Sequence, residues 1–139
     1  HSLLMAMSEF EKPVFNFIAP KVLEMPEEYK MFLREKGIKY YEHKEFTDII
    51  SAADIIYMTR VQKERFSDPI EYEQVKNVYI LRNAMLEKTK PNVKILHPLP
   101  RVNEIHTDVD ANEKAYYFTQ ALNGVFTREA IISHIMNLK

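Results

Sequence analysis

Hydrophobic and polar positions change their period repeatedly along this chain, and each change marks an element. Four short apolar runs, PVFNFIAP (13–20), IKYYEH (38–43), IIYM (55–58) and VKILH (93–97), read as strands. IIYM is continuous rather than alternating, as in strands buried on both faces. Between the runs the spacing turns helical. Leu3, Leu4, Met7 and Phe10 share one face, with Ser2 as a late N-cap. MPEEYKMFLREKG (25–37) places Pro26, Glu27 and Glu28 at the positive end of a helix and Gly37 at its stop. EFTDIISAAD (45–54) aligns Phe46, Ile49, Ile50 and Ala53, and PIEYEQVKN (69–77) predicts a short helix. VYILRNAMLEKTK (78–90) fits a short strand or a turn entering a helix. From Asn112 a helix is expected as far as Gly124, and a second from Thr127 carrying Ala130, Ile131, His134 and Ile135.

Strands alternating with helices predict an α/β fold, a Rossmann-like parallel sheet flanked by helices on both faces. The 139 residues are enough for one domain with a sizeable core, and 46% apolar with 28% charged residues is ordinary for a globular chain. Only two glycines occur, Gly37 and Gly124, and neither follows a strand. A glycine-rich phosphate loop is therefore absent from the sequence. A net charge of −1 does not favour nucleic acid or an anionic membrane, and no apolar run reaches bilayer length. With no cysteine, disulfides and thiolate chemistry are excluded.

In such a sheet, ligands gather outside the carboxyl ends of the strands. Two polar loops fall there. After IIYM comes TRVQKER (59–65), where Arg60 and Glu64 stand four apart. On a helical turn Glu64 holds the guanidinium, and a planar guanidinium suits a carboxylate ligand, with Gln62 adding an amide. The same spacing equally describes a solvated surface pair. After VKIL comes HPLPR (97–101). Each proline removes a donor and stops the strand, and His97 and Leu99 are expected to be extended. The loop then turns carbonyls outward, Leu99 above all, or is simply a strand stop. His106, Asp108 and Asp110 alternate but lack a further ligand. Asp110 or Asn112 reads better as a helix N-cap, and no metal is expected. The tyrosines and Phe118 of AYYFTQAL fit packing positions. No serine sits on a nucleophile elbow.

These motifs resemble a known family. YMTRVQKERF, ILHPLPRVNEI, TDVD, AYYFTQALNGVFTREAII and the opening HSLLMAM, in order over essentially the whole chain, are similar to the C-terminal half of the aspartate transcarbamoylase family. The resemblance implies an aspartate-binding domain over residues 1–139, in a transferase moving the carbamoyl group of carbamoyl phosphate to L-aspartate in pyrimidine biosynthesis. It implies Arg60 and Gln62 as aspartate ligands, Glu64 as the residue orienting Arg60, and Leu99 with Pro100 as contacts for carbamoyl phosphate. Arg101 and Glu104 would serve domain closure. Asn103 stands where many bacterial members have Asp. No metal or organic cofactor is implied, and the expected compartment is the cytoplasm. The family's S-T-R-T-R and H-P-x-Q motifs are not in this sequence. The expectation is therefore half of a longer catalytic chain, inactive by itself. Its partners would be the N-terminal carbamoyl-phosphate domain and two further chains in a homotrimer, with a regulatory chain or a multi-enzyme fusion left open. The other reading is a stand-alone, non-enzymatic dicarboxylate-binding module.

Overall fold

A computed structural model describes residues 1–137. The chain divides into two compact units, His1–Ile49 and Ile50–Lys139. The first is a single βαβ unit preceded by a short helix. Helix α1 spans Ser2–Met7, with His1 rather than Ser2 at its N-cap position. Strand β1 (Val14–Ile18) pairs in parallel with β2 (Lys39–His43), Val14 opposite Lys39 and Ile18 opposite His43. The crossover is helix α2, Glu27–Glu35. It starts just after Pro26, with Glu27 and Glu28 in its first turn. It stops at Gly37, whose φ of 67° is left-handed. There the Gly37 and Ile38 N–H groups close back on Arg34 and Leu33 at 3.0 and 2.9 Å, satisfying carbonyls the helix would leave open. Leu33 is fully buried beneath this stop, and Lys30 reaches Glu42 on β2 at 3.1 Å.

The second unit holds most of the core. Strand β3 (Ile55–Tyr57) runs parallel to β4 (Lys94–Leu96), Ile56 opposite Ile95. On its other edge β4 meets a further segment: the Ile95 N–H donates to Lys114 at 2.8 Å, and Tyr116 donates back to Ile95 at 3.0 Å. β4 is thus paired on both edges, toward β3 through Lys94 and Leu96 and toward the 114–116 segment through Ile95, and Ile95 is wholly buried with Val93, Leu81, Leu86, Ile105, Val109 and Tyr117. Helix α3 (Pro69–Val75) is capped by Asp68, whose carboxylate accepts the Ile70 N–H at 2.8 Å. Helix α4 runs from Tyr117 to Ile135.

The fold is mixed α/β with parallel strands, as the alternating pattern predicts. The four strands nevertheless form two separate pairs, β1–β2 and β3–β4, one in each unit. Three local expectations are corrected. EFTDIISAAD forms only a 3₁₀ turn, Phe46–Asp48, because two turns of apolar spacing do not offset the cost of starting a helix. Gly124 does not break the C-terminal helix: α4 runs through it, and Arg128 folds its guanidinium back onto the Gly124 carbonyl at 2.9 Å. Neither Asp110 nor Asn112 caps α4, which begins only at Tyr117. Asn112 instead accepts the Lys114 N–H at 3.0 Å in a local turn, and Asp110 is engaged by Arg101. Tyr117 is packed as expected, whereas Phe118 is exposed.

Candidate functional site

β3 and β4 are parallel neighbours, so their following loops leave the same end of the sheet. Past β3 the ladder closes with the Met58 N–H on Leu96 at 2.9 Å, and the chain then turns polar. It does not become an α-helix. A 3₁₀ turn, Lys63–Arg65, suffices to bring Glu64 under Arg60. The guanidinium is gripped by both carboxylate oxygens, Nη2–Oε1 at 2.5 Å and Nη1–Oε2 at 3.3 Å. Hydrogen bonding and the charge of Glu64, with a smaller contribution from Glu104, hold the Arg60 proton more firmly than usual. Gln62 is half-buried just ahead of the turn, and its side chain does not cap that turn.

The loop after β4 is built differently. His97 is 1% exposed, and its backbone N–H donates to Gln120 Oε1 of α4 at 2.9 Å. Its Nδ1 accepts the N–H of Leu99, two residues on, at 2.8 Å. Its Nε2 lies 2.7 Å from Glu104 Oε1. Leu99 is therefore not extended, as the proline rule predicts. It sits at φ 43°, followed by a cis peptide bond to Pro100. A leucine held in the left-handed region needs a surrounding that imposes it, and the ring accepting its amide is part of that surrounding. Glu104, 6% exposed, also accepts the N–H groups of Val102 (3.2 Å) and Asn103 (3.1 Å). Burial lowers the basicity of His97, against the opposing pull of Glu104. Among the described residues no donor is bonded to the Leu99 carbonyl.

Arg101 closes the other side. It binds Asp110 with both nitrogens, Nη2–Oδ2 at 2.6 Å, and touches the Tyr117 hydroxyl at 3.2 Å. That hydroxyl in turn donates to Asp110 at 2.5 Å. Hydrogen bonding to Arg101 holds the Asp110 carboxyl below its ordinary range. Burial, with Asp110 beside it, pushes the Tyr117 hydroxyl up to about 12.

The structure thus gathers Arg60, Gln62, Glu64, Leu99, Pro100, Arg101 and Glu104 on loops at one sheet end. Arg60 has one exposed partner, whereas Arg101 and Glu104 are bonded within their own loop and its flank. Sequence reasoning missed His97, Asp110, Tyr117 and Gln120. Two of these carried a signal. A histidine two positions before a residue in a tight loop can accept that residue's amide, and an acid a short way beyond a basic loop invites pairing. His106 repeats the first pattern, its Nδ1 accepting the Asp108 N–H at 3.2 Å. Among the described residues no cluster of three acidic or imidazole groups is suited to a metal.

Parallel strands ending in an arginine–carboxylate pair beside a loop with an open carbonyl are the place where α/β proteins gather ligands, outside the carboxyl ends of the strands. Residues 1–135 match the family model for the aspartate/ornithine carbamoyltransferase Asp/Orn binding domain, and the chain belongs to that family. It is 66% identical over 139 residues to the aspartate carbamoyltransferase catalytic subunit of Bacteroides thetaiotaomicron, covering 99% of this chain and 44% of that protein. The catalytic subunit of M. jannaschii aspartate transcarbamoylase superposes with a TM-score of 0.88 at 40% identity, covering 99% of this chain and 46% of the other. Aspartate transcarbamoylase from Trypanosoma cruzi, in complex with carbamoyl phosphate and aspartate, superposes with a TM-score of 0.77 at 31% identity, covering 86% and 40%. The chain therefore spans less than half the length of these relatives.

Proposed function

We propose that this chain is the aspartate-binding part of an aspartate carbamoyltransferase, and that Arg60 is its principal aspartate ligand. The observation that carries the proposal is the two-point Arg60–Glu64 pair at the end of β3. A guanidinium already held flat presents its remaining N–H edge to a substrate carboxylate with little ordering left to do. Gln62 assists. The Leu99 carbonyl accepts N–H from the attacking amine and from the carbamoyl group, and Pro100 shapes that corner. Arg101 and Glu104 hold the loop from which closure proceeds.

In the reaction a neutral α-amine attacks the carbamoyl carbon and the C–N bond forms through a tetrahedral intermediate. The C–O bond to phosphate then breaks, and the amine proton leaves with the phosphate group as its acceptor. Catalysis of this kind is positioning and electrostatic stabilisation, without a covalent enzyme intermediate, cofactor or metal. The phosphate-binding residues would come from a carbamoyl-phosphate domain. The exposed apolar side chains of α1 and α4, among them Leu3, Met5, Leu122, Phe126 and Ile135, suit a covering by such a domain. A sheet of Rossmann type covered on both faces, a trimer of complete chains and a cytoplasmic location belong to the same reading.

The test is a catalytic chain in which these 139 residues replace the matching segment of the Bacteroides thetaiotaomicron relative. It should make carbamoyl aspartate, while the 139 residues alone should not. Aspartate binding by an exchange-inactive hybrid would instead support a dicarboxylate-binding module.

A further inference from the structure

His97 has no part in the reading above, yet it is the most enclosed titratable side chain of the second unit's loops. Its environment determines where its proton sits. The Leu99 N–H points at Nδ1, so that nitrogen offers a lone pair and carries no hydrogen. The opposite nitrogen faces a carboxylate oxygen of Glu104 at 2.7 Å, so Nε2 carries the hydrogen and donates it. A ring protonated at both nitrogens would turn an N–H toward the Leu99 N–H and lose that contact. His106 offers the contrast within the same chain. It makes the same ring-to-amide contact at the surface, with no second partner on Nε2 among the described hydrogen bonds. Of these two rings, that of His97 joins two parts of one loop, the Leu99 amide on one side and the Glu104 carboxylate, itself bonded to two backbone amides, on the other.

We propose that His97 is a positioning residue: its Nδ1 lone pair, aimed at the Leu99 amide while Nε2–H rests on Glu104, sets the direction of the Leu99 carbonyl toward the reacting amine. This rests on the proposed function, which gives the Leu99 carbonyl its substrate. The ring touches neither substrate and acts through the backbone of Leu99. The two halves of the contact are separable by chemistry. His97→Asn keeps an acceptor near the position of Nδ1 and gives up the donor to Glu104. His97→Gln keeps a longer amide donor toward Glu104 and gives up the acceptor for Leu99.

In the hybrid catalytic chain, His97→Gln is expected to lower kcat on the order of a hundredfold, the usual cost of a misplaced reacting group. KM for aspartate, which Arg60 governs, should move by less than about threefold, because uniform binding is untouched. His97→Asn should recover most of the lost kcat. Equal losses in both variants, or a rise in aspartate KM matching the fall in kcat, would mean a merely structural histidine. A direct reading comes from the nitrogen-15 spectrum of the ring in the unsubstituted chain. The Nε2-protonated neutral form is expected at neutral pH, and a doubly protonated or Nδ1-protonated ring would overturn the proposal. An unsubstituted hybrid without activity would count against the proposed function, and the ring spectrum would still decide the geometry of His97.

Discussion

The loops after β3 and β4 leave the same end of one strand pair, yet they are made in opposite ways. In the first, Arg60 is held by an ion pair between side chains 35% and 57% exposed, spanning a short 3₁₀ turn. The second is fastened through three backbone amides, an imidazole, a bidentate guanidinium and a tyrosine hydroxyl, with His97, Glu104 and Tyr117 buried. Exposed pairs contribute little to stability, and buried polar groups cost heavily when left without a partner. The difference suits the two duties proposed for these loops. A side chain that must take hold of a ligand stays accessible and replaceable, whereas a backbone carbonyl can serve only if everything behind it is fixed.

The comparison breaks most visibly at Glu104. Glu104→Ala removes the acceptor of the Val102, Asn103 and His97 donors and should cost about 2–4 kcal/mol. Denaturant unfolding measures this, and a loss no larger than that of an exposed substitution would erase the distinction between the loops. Next comes alkali. Tyr117 keeps its proton to about 12 when folded and to near 10.0 when unfolded. Its contribution is complete below the unfolded value and is lost as pH rises through the folded one. Roughly 2–3 kcal/mol should disappear across that window. Tyr117→Phe should flatten this part of the profile, and an unchanged slope would show that other groups cause it.

On the acid side the slope has the other sign. His97 is less basic in the folded chain, so its contribution is complete above about 6.5 and fades as pH falls toward its folded value. Asp110 adds a second decline below about 3.8, because Arg101 keeps it ionised in the folded state. Thermal unfolding of His97→Asn against the parent should remove the earlier decline and leave the later one. The smallest effect on stability is expected at the other loop. Arg60→Ala should leave the unfolding midpoint where it was, while weakening aspartate binding by the hybrid chain roughly ten- to a hundredfold. Arg60→Lys should recover little of that loss, since a point charge does not reproduce the planar fork. A shifted midpoint with intact aspartate binding would reverse the roles of the two loops.

What was legible in the sequence follows the same division. Runs such as IIYM and VKILH announced β3 and β4 by their apolar content, but the burial on both faces expected of IIYM is not met, since Ile55 is 48% exposed and only the middle residue of each strand is buried. Pro26, Glu27 and Gly37 announced α2, since a start, a dipole match and a left-handed stop are local chemistry. Arg60 and Glu64 were visible as a pair because they stand four positions apart. Gly124 misled, since propensity disfavours glycine in a helix by only about 1 kcal/mol and α4 absorbs it. The second loop was the least legible part. The proline rule argued for an extended Leu99, and the partners that override it, His97 and Glu104, become neighbours only once the chain turns.

Ile95 has a consequence for how the unit assembles. One residue of β4 is hydrogen-bonded to the 110s segment while its strand pairs with β3, so three stretches distant in sequence meet on it. The path from β4 to Lys114 is shorter than the path back to β3, and the entropy of closing a loop grows with its length. The 95–115 contact is therefore expected to close before the β3–β4 pairing, with β3 and its Arg60 loop joining a nucleus already formed. Trimming the Ile95 side chain should slow folding, whereas trimming Ile56 should chiefly hasten unfolding. Within this unit the Arg60 loop, proposed to grip the aspartate carboxylate, would join after the loop proposed to hold its amine and be the first of the two to let go.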